Sequence, residues 1–504
     1  MTFKRLTTGI KMKKIYSIVG LIGLVSLIVG GILSLSQTVI LVVSFGCMTL
    51  GVVGYAYELH KHHKNGVYQN NLSSRGFTAW VLGLVLCVFY ILLYFYSSFL
   101  EPVIRLFDPL SANLSGKPAT QWFVYGCLYT FSILVFGVKF LFKYRGNPYQ
   151  QIRTLSVMFF QFVFAFFLPE IMARLHGDIP YYDFKNIWPL NYYQFEGWRV
   201  KQFVSSGGLG IGLLLFSVLS IFIISPILTY KFGKRWYCSW VCGCGALAET
   251  AGDTFRHLSD KSVKAWKLER WLIHVVLGFA ILMTVAVVYS YLRSDYSKYL
   301  IRRQDFLWFI LALNGLLLFY LLKIKKSFLA KDARFGISVF GILLGGFICY
   351  GLIAEPKHLF LLQSETLRKS YSFMIGSMFS GVVGTGFYPI FGSRVWCRFG
   401  CPMAAILGFQ QKLFSKFRIT TNGGQCISCG NCSTYCEMGI DVKSYAQRGE
   451  NIVRSSCVGC GICSAVCPRG VLKLENDTPH DKLKNPLFMT GNTYSLNTNV
   501  LNKK

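Results

Sequence analysis

The sequence predicts an all-α polytopic membrane protein with about ten transmembrane helices and a small α+β domain near its C-terminal end. Of its 504 residues, 53% are hydrophobic and 15% are charged, and the mean hydropathy is +0.44. Soluble domains carry about 25% charged residues, so this chain is too apolar to be one. Fourteen of the 17 cysteines lie after residue 237, most of them in short, regular motifs. These motifs predict the small domain and its chemistry.

Ten apolar stretches are long enough to cross a membrane. A helix needs about 20 apolar residues to span the hydrocarbon core of a bilayer. The stretches that meet this length lie at about 15–36, 38–57, 77–96, 121–142, 154–173, 208–230, 271–291, 306–322, 336–354 and 373–391. The alternative is a merged or re-entrant helix near 306–354, which would change the number of spans.

The basic residues predict the orientation, because Lys and Arg accumulate in cytoplasmic loops. With ten spans, the basic N-terminus and the basic loops 58–76, 143–153 and 323–335 fall on one side, with the loop 292–305 as an exception. We assign that side to the cytoplasm of a bacterial cell, so the protein is expected in the inner membrane with its C-terminal domain inside. The net charge of +30 is then explained by topology, and nucleic acid is not a predicted partner.

Two longer loops are predicted on the outer side, at 97–120 and 174–207. Aromatic side chains at the membrane–water interface commonly form belts, and they also form protein docking surfaces. A belt is the simpler interpretation of the second loop and a docking surface is the alternative. Its aromatic residues are Tyr181, Tyr182, Trp188, Tyr192, Tyr193 and Trp198.

Two ionisable residues lie within predicted spans, where a charge is costly and functional roles are common. Glu170, beside Pro169 at the end of the fifth span, is a candidate for a proton or quinone route, or marks the end of the helix. His274 could ligate haem, but the sequence has no second histidine at mid-membrane, so we interpret it as structural. Haem is not supported. Flavin is not supported either, because the segment 490–493 only approximates a covalent-flavin signature.

A motif of the form Phe-Gly-x-Arg-x-aromatic-Cys-x3-Cys occurs twice, at residues 232–242 and 391–401, each time after an apolar span at the predicted cytoplasmic edge. On a helix, Cys-x3-Cys places two sulfurs on one face. If the repeats are neighbours, four sulfurs would converge at the cytoplasmic boundary as one shared redox or metal site, with thiolate pKa values lowered by Arg235 and Arg394. The alternative is that each pair packs a helix end. The four residues are Cys238, Cys242, Cys397 and Cys401, with Cys244 as an accessory ligand.

The C-terminal region contains the run Cys-x2-Cys-x2-Cys-x3-Cys twice, 31 residues apart. This spacing is typical of bacterial two-cluster ferredoxins, in which the fourth cysteine of each run ligates the other [4Fe–4S] cluster. Structural zinc ribbons are the alternative, but they use fewer and more widely separated cysteines. Glu437 stands where the second run has Pro468, which weakens the bend without removing a ligand. We predict one cluster at Cys426, Cys429, Cys432 and Cys467, and another at Cys457, Cys460, Cys463 and Cys436.

In these motifs the sequence resembles the membrane-bound polyferredoxins of the NapH, NosR and CcoG type. Their hallmark is two Cys-x3-Cys-Pro motifs at cytoplasmic helix ends, followed by a double-[4Fe–4S] domain. The second motif here matches through Pro402, whereas the first has Gly243 in place of proline and the added Cys244. The resemblance covers about 208–250 and 373–470, so it implies nothing about residues 1–207.

These observations predict an electron-transfer protein that passes electrons between a cytoplasmic donor or quinol and a partner protein at the outer face. It would be a component of an oxidoreductase. The resemblance also implies two alternatives, a copper reductase or oxidase-assembly factor, and a third is a redox-sensing regulator. We divide the chain into an N-terminal membrane region 1–207, a membrane region 208–403 with the repeated motifs, a ferredoxin domain 404–475 and a polar tail 476–504.

Overall fold

The computed structural model describes residues 2–33, 35–61, 76–175, 181–294 and 301–476. Within these ranges the chain is mostly helical, and nine helices are long and apolar enough to cross a membrane. They correspond to the first nine predicted spans, which fits a multi-pass membrane protein. The nine are Lys11–Ile32, Gln37–His60, Phe77–Phe95, Gln121–Lys143, Pro148–Leu175, Gly207–Phe232, Val263–Arg293, Arg303–Ile324 and Lys331–Ala354.

The tenth predicted span, 373–391, is not one continuous helix. A helix at Ser364–Tyr371 continues as a π-helix at Ser372–Val383, and the chain then turns before the short helix Tyr388–Phe391. Gly386 permits the turn to approach the span Phe77–Phe95, because an added Cβ there would lie 2.6 Å from Cys87 Sγ. The region 373–391 is therefore largely helical, as predicted, but it is interrupted rather than one continuous helix.

Short helices fill the connections between the spans. They lie at Glu101–Arg105, Asp108–Ser115, Gly197–Ser205, Arg235–Cys238, Gly243–Glu249, Ala251–Leu258, Trp396–Gly400 and Pro402–Phe414. The last of these begins at the second Cys-x3-Cys motif and crosses the predicted domain boundary at 403/404.

Glycines let neighbouring spans approach closely, as is common between helices in lipid. In the first pair of spans, an added Cβ on Gly51 would lie 2.5 Å from the Cα of Gly20. In the last pair of candidate spans, Asn314 Nδ2 donates a hydrogen bond of 2.9 Å to the carbonyl of Gly341 on the neighbouring helix. These are two separate, packed helices, so the alternative of a merged helix near 306–354 is excluded.

The second predicted outer loop is folded into the helix bundle. Tyr182 is only 3% exposed, and Trp188 Nε1 donates a 2.9 Å hydrogen bond to Thr284 Oγ1 inside the span Val263–Arg293. Tyr181 and Trp198 are exposed. An interfacial belt therefore describes only part of this segment, and the remainder is a structural element of the bundle.

The C-terminal domain combines helices with a two-stranded sheet. Strand β1 (Arg418–Thr421) pairs antiparallel with strand β2 (Leu472–Glu475), so that the two ends of the domain meet. The cysteine runs lie between the strands, together with short helices at Asn431–Thr434, Val442–Arg448 and Ile462–Ala465.

One hydrophobic core extends from the membrane helices into the C-terminal domain. It contains Phe140 and Ile273 from the spans, Phe417 before β1, and Ile462 from the domain, all at most 7% exposed. All four cysteines of the two Cys-x3-Cys motifs belong to this core. The domain is thus packed against the helix bundle, with the motifs in the region between them.

Candidate metal centres

The eight cysteines of the C-terminal runs line two separate cavities. One is lined by Cys436, Cys457, Cys460 and Cys463, and we name these four residues the inner set. The other is lined by Cys426, Cys429, Cys432 and Cys467, which we name the outer set. Each cavity therefore combines three cysteines of one run with the last cysteine of the other.

The loops that hold these cysteines depend on left-handed backbone conformations. Gly430 and Gly461 have φ of 80° and 75°, and each precedes a short helix that carries the third cysteine of its run. The residue directly before the second cysteine of each run is also left-handed: Gly459 has φ of 63° and Ser428 has φ of 57°. Glycine adopts this conformation without strain, whereas serine does so at a cost.

The surroundings of the inner set suit an anionic sulfur cluster. Burial raises the pKa of the Cys457 thiol to about 11, and the backbone N–H of Gly459 acts in the opposite direction. Burial also raises the pKa of Cys436, against the backbone N–H groups of Ile440 and Met438. N–H groups directed at sulfur stabilise thiolates and tune iron–sulfur clusters. Four thiolates around an apolar cavity with such donors fit a [4Fe–4S] cluster.

The two sets differ in their access to solvent. Cys429 of the outer set is exposed, and its neighbour Ile427 is 53% exposed. The loop that carries the inner set is instead held by the membrane helices through its backbone carbonyls. Tyr149 Oη donates to the carbonyl of Gly459 at 3.0 Å, and Gln150 Nε2 donates to that of Cys460 at 2.9 Å. The inner set therefore faces the membrane body and the outer set faces away from it.

The two Cys-x3-Cys motifs come together in the structure. Cys401 lies within electrostatic range of Cys397, Cys242 and Cys238, and all four belong to the same core, so we name them the four-cysteine group. Each of the four is at most 7% exposed. Arg394 Nη1 lies 3.5 Å from Cys397 Sγ and 3.3 Å from the carbonyl oxygen of Cys238, and thus joins the two motifs. Four buried sulfurs with an adjacent guanidinium can hold an iron–sulfur cluster.

Arg235 does not take part in this arrangement. Its guanidinium stacks on the ring of Phe417 at 4.6 Å and donates to Asn476 Oδ1 at 3.0 Å. The prediction that Arg235 acts on the thiolates alongside Arg394 was therefore wrong. The two repeats use the same arginine position differently, because Arg235 stacks on Phe417 whereas Arg394 lies between Cys397 and Cys238.

The four-cysteine group lies deeper in the bundle than the predicted cytoplasmic boundary. Gln161 is near the middle of the span Pro148–Leu175. An added Cβ on Gly243 would lie 2.6 Å from Gln161 Oε1 and 2.3 Å from Lys185 Nζ. Gly243 directly follows Cys242, so the chain turns back into the bundle after the sixth span. Irregular backbone at this depth is tolerated where it is buried in protein.

Cys244 adjoins the group. Its side chain contacts that of Cys242, and it interacts electrostatically with Cys397 and Cys401. It also lies within electrostatic range of Tyr125 and Tyr129 of the span Gln121–Lys143.

Charged residues join the four-cysteine group to the inner set. Arg394 Nη2 lies 2.5 Å from Glu249 Oε1, and its Nε lies 3.1 Å from Glu437 Oε1. Glu437 Oε2 lies 3.0 Å from Arg256 Nη1, and Arg153 pairs with Glu249. We name the buried ion-paired residues the charged junction: Lys143, Arg153, Glu249, Asp253, Arg256, Arg394 and Glu437.

Glu437 is central to the charged junction. It is 0% exposed, and it directly follows Cys436 of the inner set. Burial would raise the pKa of its carboxyl, but Arg256 and Arg394 more than compensate, so the pKa lies below its ordinary value and the group is ionised. Sequence reasoning noticed Glu437 only as a departure from proline. Its acidic character in an otherwise regular run was the signal that could have identified it.

The remaining candidates lie elsewhere. Glu170 has Lys117 as its charged neighbour, on the segment that precedes the fourth span. His274 Nδ1 lies 2.5 Å from the carbonyl of Arg270, and its ring packs against Phe409 at 4.6 Å. The segment 490–493 lies outside the described residues.

Comparisons with known proteins agree with iron–sulfur binding. A family described as "4Fe-4S binding domain" matches residues 214–263 and 373–420, the two regions that contain the Cys-x3-Cys motifs. A family described as "4Fe-4S dicluster domain" matches residues 425–472. The chain therefore contains iron–sulfur domains in both its membrane part and its C-terminal part.

One curated relative is "Putative electron transport protein YccM" of Escherichia coli (strain K12), 25% identical over 233 residues. The alignment covers 46% of this chain and 48% of that protein, so the chain spans about half the length of the relative it matches. No solved structure matches.

Proposed function

We propose that this protein carries electrons across a bacterial inner membrane, between a cytoplasmic donor or quinol and an acceptor at the outer face. The placement of the four-cysteine group supports this most strongly, because it lies inside the bundle and is joined to the inner set by the charged junction. The family matches and the name of the curated relative point to the same class of function.

In this proposal the outer and inner sets each hold one [4Fe–4S] cluster, and the four-cysteine group holds a third. Such clusters accept and release one electron at a time. The exposed edge at Cys429 is suited to electron entry from a soluble donor. Tyr149, Gln150 and Ser239 fix the inner set against the membrane body through backbone carbonyls at 2.8–3.0 Å. Fixed positions favour transfer, since the protein's part is to place and tune its cofactors.

The four-cysteine group then extends the route into the lipid-surrounded part of the molecule. Hydrocarbon about 30 Å thick separates the two aqueous phases. A centre level with Gln161, in the middle of a span, divides that distance into shorter steps. The cytoplasmic orientation of the C-terminal domain rests on the positive-inside pattern of the loops and on the need for a reducing compartment.

The test is transmembrane reduction in proteoliposomes. Reduced ferredoxin is added outside vesicles in which the C-terminal domain faces outward, and ferricyanide is enclosed inside. We expect ferricyanide reduction by the wild-type protein and its loss in the double variant Cys238→Ser with Cys397→Ser. The clusters of the C-terminal domain should still be reduced in that variant, as followed by their absorbance.

The matched control is Cys47→Ser with Cys349→Ser, two cysteines that lie within membrane spans and outside the four-cysteine group. This control should reduce ferricyanide at the wild-type rate. Full transmembrane activity in the Cys238→Ser, Cys397→Ser variant would refute the route and leave the four cysteines a packing role.

A further inference from the structure

Lys185 brings a positive charge from the outer side of the protein to the four-cysteine group. Its side chain is 7% exposed, and Nζ donates a 2.6 Å hydrogen bond to Gln161 Oε1. Gln161 in turn donates to Thr130 Oγ1 at 2.9 Å. The backbone carbonyl of Lys185 accepts a 2.7 Å hydrogen bond from Tyr237 Oη, one residue before Cys238. The ammonium group is thus fixed beside the first Cys-x3-Cys motif.

The charge of Lys185 has no carboxylate in direct contact. Among the described residues, the ion pairs within 4.0 Å do not include it. Asp183 interacts with it at longer range, and its carboxylate accepts hydrogen bonds from the Lys185 backbone N–H and from Asn186. The other cation at the group, Arg394, is paired with Glu249 and Glu437.

A buried ammonium whose direct hydrogen-bond partner is a neutral amide is costly unless anions lie nearby, and Asp183 supplies one only at longer range. Cys242 is in electrostatic contact with Lys185. Four thiolates around a [4Fe–4S]2+ core carry a net charge of about −2, which would provide the missing anion. The position of Lys185 therefore agrees with a permanently anionic centre at the four cysteines.

We propose that Lys185 sets the reduction potential of the centre at the four-cysteine group. The proposal rests on the third cluster proposed above. Reduction of a cluster held there would add one electron from the inner set and make the centre more negative. A nearby fixed cation stabilises the more negative state. Lys185 thus favours electron transfer from the inner set toward the membrane centre, and it acts as a positioning residue rather than a ligand.

The experiment compares redox titrations of purified full-length variants, followed by electron paramagnetic resonance. Lys185→Met removes the charge, and Lys185→Arg retains it. Lys231→Met removes an exposed charge from the end of the sixth span and is the matched control. At the wild-type midpoint, Lys185→Met should lower the ratio of reduced to oxidised membrane centre by about tenfold or more. Lys185→Arg and Lys231→Met should leave it within about twofold, and the clusters of the C-terminal domain should not shift.

An unchanged ratio in Lys185→Met, with full iron content, would overturn the role of Lys185 and leave the third cluster intact. If Lys185→Met does not accumulate, Lys185→Gln supplies the same loss of charge with an amide that can still bond Gln161. Failure of the third cluster itself would be visible in the wild type, as about eight rather than about twelve iron atoms per chain. That result would overturn both proposals before any substitution is made.

Discussion

Neutralising Glu437 should loosen the C-terminal domain from the membrane body. The Glu437→Gln substitution preserves the size of the side chain but removes the charge that faces Arg256 at 3.0 Å and Arg394 at 3.1 Å. All three side chains are at most 1% exposed, so solvent cannot compensate the two guanidinium groups. The resulting loss of stability should appear at the contact between the C-terminal domain and the membrane helices, where Glu437 lies.

The size of this destabilisation follows from the burial of the ion pairs that Glu437 makes. Removing one partner of a buried ion pair costs about 3–5 kcal/mol. A cost of about 3 kcal/mol raises the equilibrium constant for opening of the junction by about a hundredfold. Native-state hydrogen exchange of the segments 436–442 and 455–460 measures that constant, since these segments carry three of the four cysteines of the inner set and the contacts of its loop with the membrane helices.

The control is Glu450→Gln in the same domain. Glu450 pairs with Arg448 at 3.0 Å, but the two side chains are 52% and 55% exposed. A surface pair is worth at most about 1 kcal/mol, so exchange should rise by about fivefold or less. Iron content should be unchanged in both variants, because neither residue is a proposed ligand. Equal exchange in the two variants would show that the charged junction does not hold the domain in place.

Three further predictions concern the cysteine loops. Cys436→Ala should remove about four iron atoms and damage the cluster of the inner set at least as much as that of the outer set. Iron analysis with electron paramagnetic resonance measures both effects. Damage mainly to the outer set would show that the four cysteines of each run ligate one cluster. Gly459→Ser should release the domain and lower its iron content, because the new Cβ would lie 2.6 Å from Arg235 Cβ and the backbone has a φ of 63°. Ser428→Gly, at the equivalent position of the first run, should be tolerated. Equal iron contents in the two variants would contradict this prediction. Gly243→Ala should destabilise the protein by about 1–3 kcal/mol, seen as faster thermal inactivation, while Gly212→Ala, where nothing lies within 4 Å, should have no effect.

The sequence alone predicted those structural features that a pattern within one segment determines. Nine of the ten spans predicted from apolar length correspond to long apolar helices of the described residues, because a bilayer requires that length. The small α+β domain was predicted from the spacing of its cysteines, and in the structure it is a sheet of two strands with short helices between them. In both cases the constraint lies within one segment.

The parts that sequence reasoning missed depend on contacts between distant segments. The depth of the four-cysteine group is set by a turn back into the bundle after residue 232, which apolar length cannot reveal. The charged junction joins Arg153, Glu249 and Glu437, residues far apart in the chain. Lys185 lies in the loop 174–207, whose role we predicted from its aromatic residues alone. A single lysine among tyrosines and tryptophans gives no sign that it is buried.

The charges around the four-cysteine group favour one arrangement of electron flow. The charged junction contains four cations and three carboxylates, and Lys185 adds a further cation on the far side of the group. Buried positive charge of this kind is stable only if anions lie between or beside it. Anionic centres at the inner set and at the four-cysteine group would supply them on both sides of the junction. The second centre would then lie between Arg394 and Lys185, and it would hold an added electron more readily than the first. This arrangement supports the proposed route, in which electrons would pass from the C-terminal domain into the membrane body, toward the segment that carries Lys185.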